Sequence, residues 1–347
     1  MKKLLAFTFA LFLISTLAHA QAPIEYKKVI LKANGKNYAV NMVKVKLDSV
    51  KIKVGLAKGL VGRTQSLADI AKTHKAVAAI NGCFFDAYTK NALKNPHHTL
   101  ITNGQFVHLG NVGTTLGFTA DNRPIMERVI WKIDGSRNGS FEWPNKWYAY
   151  WLNRDTTNST ITIFTPYWGT ATNRSDGEQI VVSGGKVTDM GSSSKNIPSD
   201  GYVIYINGVS DSSLRNFKLD QPVDYRIIRK DGADLGMWAE VAEGLGAGPR
   251  LVTDGNITYD PQAEGFSQDK ILSLSGARSA VGITPDGYLL MVTTSATVKE
   301  LATVMKELGA YNAMNLDGGA SSGLYYKGKY VTPPGRLISN ALLIMEK

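Results

Sequence analysis

The stretch TVKELATVMKELGAYNAMNLDGGASS, residues 297–322, contains a start, a stop and a change of period. Thr297 stands three residues before Glu300, the spacing of a reciprocal helix cap. Val298, Leu301, Val304, Met305 and Leu308 then recur at helical spacing, so a helix with one buried face is expected until Gly309 ends it as a C′ residue. From Ala310 to Leu316 the pattern becomes that of a small-apolar strand, and the chain turns at Asp317-Gly318-Gly319. A carboxylate at the end of a buried strand, followed by two glycines and by Ser321 and Ser322, leaves room for a ligand to approach the backbone. The plainer alternative is an aspartate capping a glycine-rich turn.

A weaker copy of the arrangement lies upstream. A helix from about Ser66 to Thr73, with Leu67, Ile70 and Ala71 inward, precedes a strand from Ala76 to Ile80 that ends at Asn81-Gly82. If the two are a pseudo-repeat, both loop tips lie at one edge of a single sheet. Elsewhere short alternating runs dominate, at Lys28–Leu31, Tyr38–Val45, Lys51–Leu56, Thr160–Phe164, Gly201–Ile206, Val223–Ile228, Ser279–Thr284 and Tyr288–Thr293, separated by turn signals such as Asn34-Gly35 and Asp286-Gly287. The expected class is α+β: a strand-rich mixed sheet with a few packed helices in a single large domain, 21–347. A segment at about 121–199 differs in character, holding Trp131, Trp143, Trp147, Trp151 and Trp168. Such rings either stack on sugars in a cleft or fill core.

Residues 1–20 read as a secretory signal peptide: Lys2 and Lys3, an apolar run from Leu4 to Leu17, then Ala18-His19-Ala20. Export to the periplasm or beyond is expected, with no transmembrane segment after cleavage, because no other run approaches the roughly 20 apolar residues of a spanning helix. Cys83 is the single cysteine, so no intramolecular disulfide is available even in an oxidising compartment. The formal net charge is +10, and the signal segment carries only two of the basic residues. The rest are scattered rather than gathered into a tract, which points away from nucleic acid and toward an anionic or phosphate-bearing glycan.

Three further segments carry chemistry. Gly244-Leu245-Gly246-Ala247-Gly248-Pro249-Arg250 lacks dinucleotide-binding spacing but brings Arg250 to a loop. Gly276-Ala277-Arg278 sets an arginine at the head of an apolar strand, where a charge is costly unless it meets a carboxylate or an anionic ligand. The last is Ala79-Ile80-Asn81-Gly82-Cys83-Phe84-Phe85-Asp86. With NLDGGASS and the terminal RLISNAL, these segments resemble the phosphodiester glycosidase family over about Ala76 to Leu343. Departures are Cys83 and Ala320, where glycine is frequent, and the Trp-rich segment, which has no counterpart.

The resemblance implies an exported glycoside hydrolase that cleaves a sugar-1-phosphate linkage in an anionic glycan or envelope polymer. A non-catalytic glycan-binding or exopolysaccharide-assembly protein that keeps an anion pocket is the alternative. It further implies Asp317 as the carboxylate facing an oxocarbenium-like transition state, with Asp86 or Glu243 as its partner. Arg278, Arg250 and Arg336 would take the phosphate, and Asn81, Ser321, Ser322, Gly318 and Gly319 would line the substrate. No cofactor is expected, and a metal stays open. The pair His97-His98 offers a loop metal site or a general acid, whereas Cys83, among Ile80, Phe84 and Phe85, reads as a buried small hydrophobe.

Overall fold

The computed structural model describes residues 22–156, 159–210 and 216–347; the expected signal peptide lies outside them. The chain is mostly β. Among the described residues there are three α-helices, Leu67–Thr73, Asp269–Leu272 and Val298–Glu307, too few for the α+β label to be more than loosely apt. No helix among these residues is long and apolar enough to cross a membrane.

The 297–322 stretch folds as its pattern dictates. Thr297 Oγ1 accepts the Glu300 N–H at 3.1 Å and the Glu300 carboxylate accepts the Thr297 N–H at 2.9 Å, closing the capping box. Val298, Leu301, Val304 and Met305 are buried. Gly309 sits at a φ of +89°, a conformation other residues resist. The upstream helix is capped by Ser66, whose Oγ accepts the Asp69 N–H at 3.1 Å.

Among the described residues the strands form five sheets rather than one. The seven-stranded sheet runs in the order Ile24–Ala33, Lys36–Lys46, Tyr288–Ala296, Gly276–Ile283, Asn312–Asn315, Arg250–Thr253, Asn256–Ile257. A five-stranded sheet runs Lys329–Thr332, Leu324–Tyr326, Ala78–Asn81, Asn340–Glu346, Val50–Leu56. With a third sheet around Val241–Ala247, these contribute to one large hydrophobic core. Trp151–Leu152 beside Thr160–Phe164 is the one parallel pair of named strands among the described residues, so that sheet alone is mixed and the others are antiparallel. Many neighbours are joined by short turns, and a short turn can only reverse the chain.

The pseudo-repeat does not share a sheet, because Ala78–Asn81 and Asn312–Asn315 lie in different ones. Their ends nevertheless meet. Asn81 Nδ2 donates to the Asp317 carbonyl at 2.7 Å, and the Asp317 N–H donates to the Gly82 carbonyl at 3.1 Å.

The Trp-rich segment supplies a second core. Trp131, Trp147, Ile161, Ile163, Ile180, Ile204 and Ile206 are buried together, on a three-stranded sheet centred on Trp131–Arg137 and a five-stranded sheet centred on Gly201–Asn207. Trp168 is also buried and Trp143 stands in solvent. Core filling therefore accounts for three of the five tryptophans; Trp151 alone among them lines a cavity.

Candidate active site

One cavity of about 540 Å³ gathers residues from four distant parts of the chain: Asp86 and His97; Lys270 and Arg278; Asp317, Gly318 and Gly319; and Arg336. Asp317 and Arg278 reach the same space through the loop after one strand and the head of the neighbouring strand. Gly318 fits closely between them: a Cβ there would lie 3.2 Å from Arg278 Nη1 and 3.1 Å from the Ala277 carbonyl, tight enough that a neighbour would have to shift.

Asp317 is partly buried. Enclosure by protein pushes its carboxyl up to about 6, against the Ser321 hydroxyl, the positive charges of Lys270 and Arg336 and the Gly318 N–H, which all favour the ionised form. Arg278 is only 5% exposed. Its Nε donates to the Ala296 carbonyl at 3.0 Å, while Nη2 donates to the carbonyls of Lys270, at 2.8 Å, and Leu274. Backbone oxygens thus orient the guanidinium without neutralising it, and no carboxylate among the described residues lies in ion-pair contact with it. Burial lowers its pKa, opposed by the nearby Tyr259 hydroxyl. The result is a fixed cation beside the cavity whose Nη1 carries no hydrogen bond to the described residues.

On the other wall, His97 Nε2 lies 2.7 Å from Asp86 Oδ1, and Asn95 Nδ2 donates to Asp86 Oδ2 at 3.2 Å. This is a carboxylate–imidazole pair with one edge in solvent. Arg336 donates to the Tyr88 hydroxyl at 2.8 Å and stacks on that ring 4.5 Å from its centroid. Lys270 and Tyr88 have no sequence signal; only the fold carries them here. Among the described residues no group of three or more His, Cys, Asp or Glu side chains is arranged to hold a metal ion.

Several expected site residues stand elsewhere or act indirectly. Glu243 does not line the cavity. Its carboxylate accepts the N–H groups of Val54 at 2.7 Å and Asn103 at 3.0 Å, with Lys53 Nζ at 3.4 Å, and so clamps two strands. Arg250 spends its guanidinium on the carbonyls of Val252 and Met126 and on Asn312 Oδ1, leaving it inside the fold. Asn81 is wholly engaged: Oδ1 accepts from Ser279 Oγ at 2.7 Å and from the Gly323 N–H at 3.0 Å, while Nδ2 holds the Asp317 backbone. Ser321 is buried with its hydroxyl on the Asp317 carboxylate. Ser322 is buried too, and its Oγ has no hydrogen-bond partner. Cys83 is a buried thiol pushed up to about 12 by desolvation, which removes the thiolate a nucleophile needs.

A platform of amide side chains underlies the site. Asn340 Oδ1 accepts the Cys83 N–H at 3.0 Å and its Nδ2 donates to Ser339 Oγ at 2.6 Å. A Cβ on Gly82 would come within 1.9 Å of that Oδ1. Asn315 donates to the Gly248 carbonyl at 2.8 Å, tying the Gly-Pro-Arg loop to the strand that carries Asp317.

This fold occurs in other solved structures. A hypothetical protein from Synechocystis superposes with a TM-score of 0.80 at 23% identity, covering 94% of this chain and 62% of that one; this chain thus spans less than two thirds of its length. A protein of Burkholderia pseudomallei K96243 named as exported gives 0.72 at 20% identity, covering 89% and 74% of the two chains. The catalytic domain of zebrafish N-acetylglucosamine-1-phosphodiester alpha-N-acetylglucosaminidase, in a form auto-inhibited by its pro-peptide, gives 0.50 at 15% identity over 95% and 86%. No curated protein matches the sequence. At the level of family, residues 176–345 match the phosphodiester glycosidase family. Arg278, Asp317 and Arg336 fall within the match; Asp86 and His97 precede it.

Proposed function

We propose that the protein hydrolyses a glycosyl phosphodiester, breaking the bond between the anomeric carbon and the phosphate oxygen, in an anionic glycan outside the cytoplasm. The observation that supports this reading is the single cavity in which a buried, carboxylate-free arginine stands with two carboxylates of unlike surroundings. A binding protein needs the cation but not the carboxylates.

In the proposed reaction Arg278, Arg336 and Lys270 hold the phosphate. Fixed donors stabilise the charge that grows on the departing phosphate monoester, which needs little protonation to leave. Asp317, ionised, faces the positive charge developing at the anomeric carbon. Water supplies the oxygen that ends on the sugar, and its proton passes to a carboxylate or to the His97–Asp86 pair. Asn81 and Ser321 act by holding Asp317 in place, and Gly318 by admitting the ligand.

The test is hydrolysis of a panel of glycosyl-1-phosphate methyl diesters in ¹⁸O-labelled water. Label on the sugar hydroxyl is the expected outcome. Label on phosphate would mean that the P–O bond breaks, and no turnover of any diester, with saturable binding retained, would make the protein a glycan binder.

A further inference from the structure

The cavity that holds Asp317 shares Phe84, His97 and Lys270 with a second one beside it, of about 400 Å³. Phe84, Phe266 and Trp151 give it aromatic walls, and its basic side chains are Arg154 and Lys270, with no carboxylate on the lining. Trp151 and Arg154 belong to the Trp-rich segment and precede the family match.

Arg154 is the telling residue. Its guanidinium carbon lies 4.1 Å from the Trp151 ring centroid, a stacking that presents the N–H edge laterally. Among the described residues it makes no hydrogen bond or ion pair. Its neighbour Asp155 is taken by Arg174 at 3.1 Å, and Asp86 acts on Arg154 only through space. Burial lowers the pKa of Arg154, so this partly buried cation has the Trp151 face but no anionic partner among the described residues, a place that suits an anion. On the same wall His98 is buried with both ring nitrogens lacking a hydrogen-bond partner. Its ring lies roughly parallel to Phe266, the centroids 6.1 Å apart. Desolvation first, then the charges of His97 and His108, push it down to about 3. It is therefore a neutral imidazole that offers one donor and one acceptor to whatever fills the cavity.

Resting on the hydrolytic reading above, we infer that this second cavity is a subsite for the group on the far side of the scissile phosphodiester, and that it takes a sugar-sized unit bearing its own anionic substituent. Ring faces meet the aromatic walls, hydroxyls meet His98, and the anionic group meets the free edge of Arg154. The substrate is then a polymer or oligomer with anionic units in succession.

Three diesters that share one glycosyl unit and differ only in the alcohol, namely methanol, glucose or glucuronate, test this with wild type and Arg154→Gln. The expected result is a kcat/KM for the glucuronate diester at least tenfold above that for the methyl diester in wild type. In the variant, that ratio falls to within about twofold of unity while the glucose-to-methyl ratio is kept. A glucose 6-phosphate diester as a fourth arm tells whether phosphate substitutes for carboxylate. Ratios equal across alcohols, or unchanged by Arg154→Gln, overturn the subsite. If no diester is cleaved, calorimetric binding of the same compounds decides separately. Glucuronate-diester binding weakened tenfold or more by Arg154→Gln keeps the subsite and sinks the hydrolytic reading, and binding indifferent to the variant sinks the subsite.

Discussion

The core behind the cavity and the core of the Trp-rich segment sit in one chain but bury polar groups on different terms. Behind the cavity, Asn81, Ser279, Asn340 and Asn315 are buried amides and hydroxyls that spend hydrogen bonds on neighbouring turns. The loops they fix carry Asp317 and Asp86. In the Trp-rich segment packing is aromatic. Trp131 meets Trp238 edge-on at 5.4 Å, Trp147 meets Phe217 edge-on at 5.8 Å, and Gly135 lies so close beneath Trp147 that a Cβ would fall 2.0 Å from its ring. One core holds charged groups in a fixed place, which takes directional bonds; the other holds sheets together, which takes area and shape. Only the rim of the second, at Trp151 and Arg154, turns toward the cavity.

If that division is right, substitutions in the two regions fail in different ways. The largest effect is expected for Asp317→Asn, with turnover of the cleaved diester reduced by about 10²–10³ or more, the scale on which a transition-state electrostatic contact acts. The melting temperature should be near that of wild type; a variant with wild-type turnover would take Asp317 out of the mechanism. Next is Trp147→Ala, which removes a fully buried ring and is expected to cost about 3–5 kcal/mol in denaturant unfolding. Turnover per folded molecule should hold, since Trp147 does not line the cavity; a selective loss of turnover would erase the contrast between the cores.

Glu243→Gln should behave like the second core despite being a carboxylate beside the first. Losing one acceptor from a buried two-strand clamp costs about 1–3 kcal/mol, with kcat unchanged; a large fall in kcat would restore Glu243 to the chemistry. The smallest effect concerns pH. The Asp317 carboxyl sits near 6, so kcat/KM should fall as pH drops through that value and the ionised form is lost. Lys270→Met removes a charge that favours ionisation, and the acid limb should move to higher pH. A limb that stays put, or moves to lower pH, would assign it to another group.

Much of the local structure was legible in the residues. The capping box at Thr297, the stop at Gly309, the strand patterns and the special place of Asp317 among glycines follow from spacing and residue type, because these are interactions within a few residues. Arg278 was legible as a charge needing an anion, but not that three backbone carbonyls would orient it and leave it unneutralised. Asn81, Glu243 and Arg250 have the same side chains whether they meet a ligand or a neighbouring strand, and composition cannot distinguish the two. His97, weighed as a metal ligand or a general acid, became the partner of Asp86 only when the loop between them closed.

By itself, then, the sequence determined which segments form helices and strands, where their caps and turns fall, and that Asp317 and Arg278 stand at strand ends beside small residues. Tertiary structure alone decided that the Asn81 end meets the Asp317 loop although their strands lie in different sheets, that Lys270 and Arg336 join the cavity, and that Trp151 and Arg154 line a second cavity beside it. The physical reason is range: caps, turns and alternation act between residues a few positions apart, whereas a site built from residues 86, 278, 317 and 336 exists only once long-range strand pairing and burial have brought its pieces together.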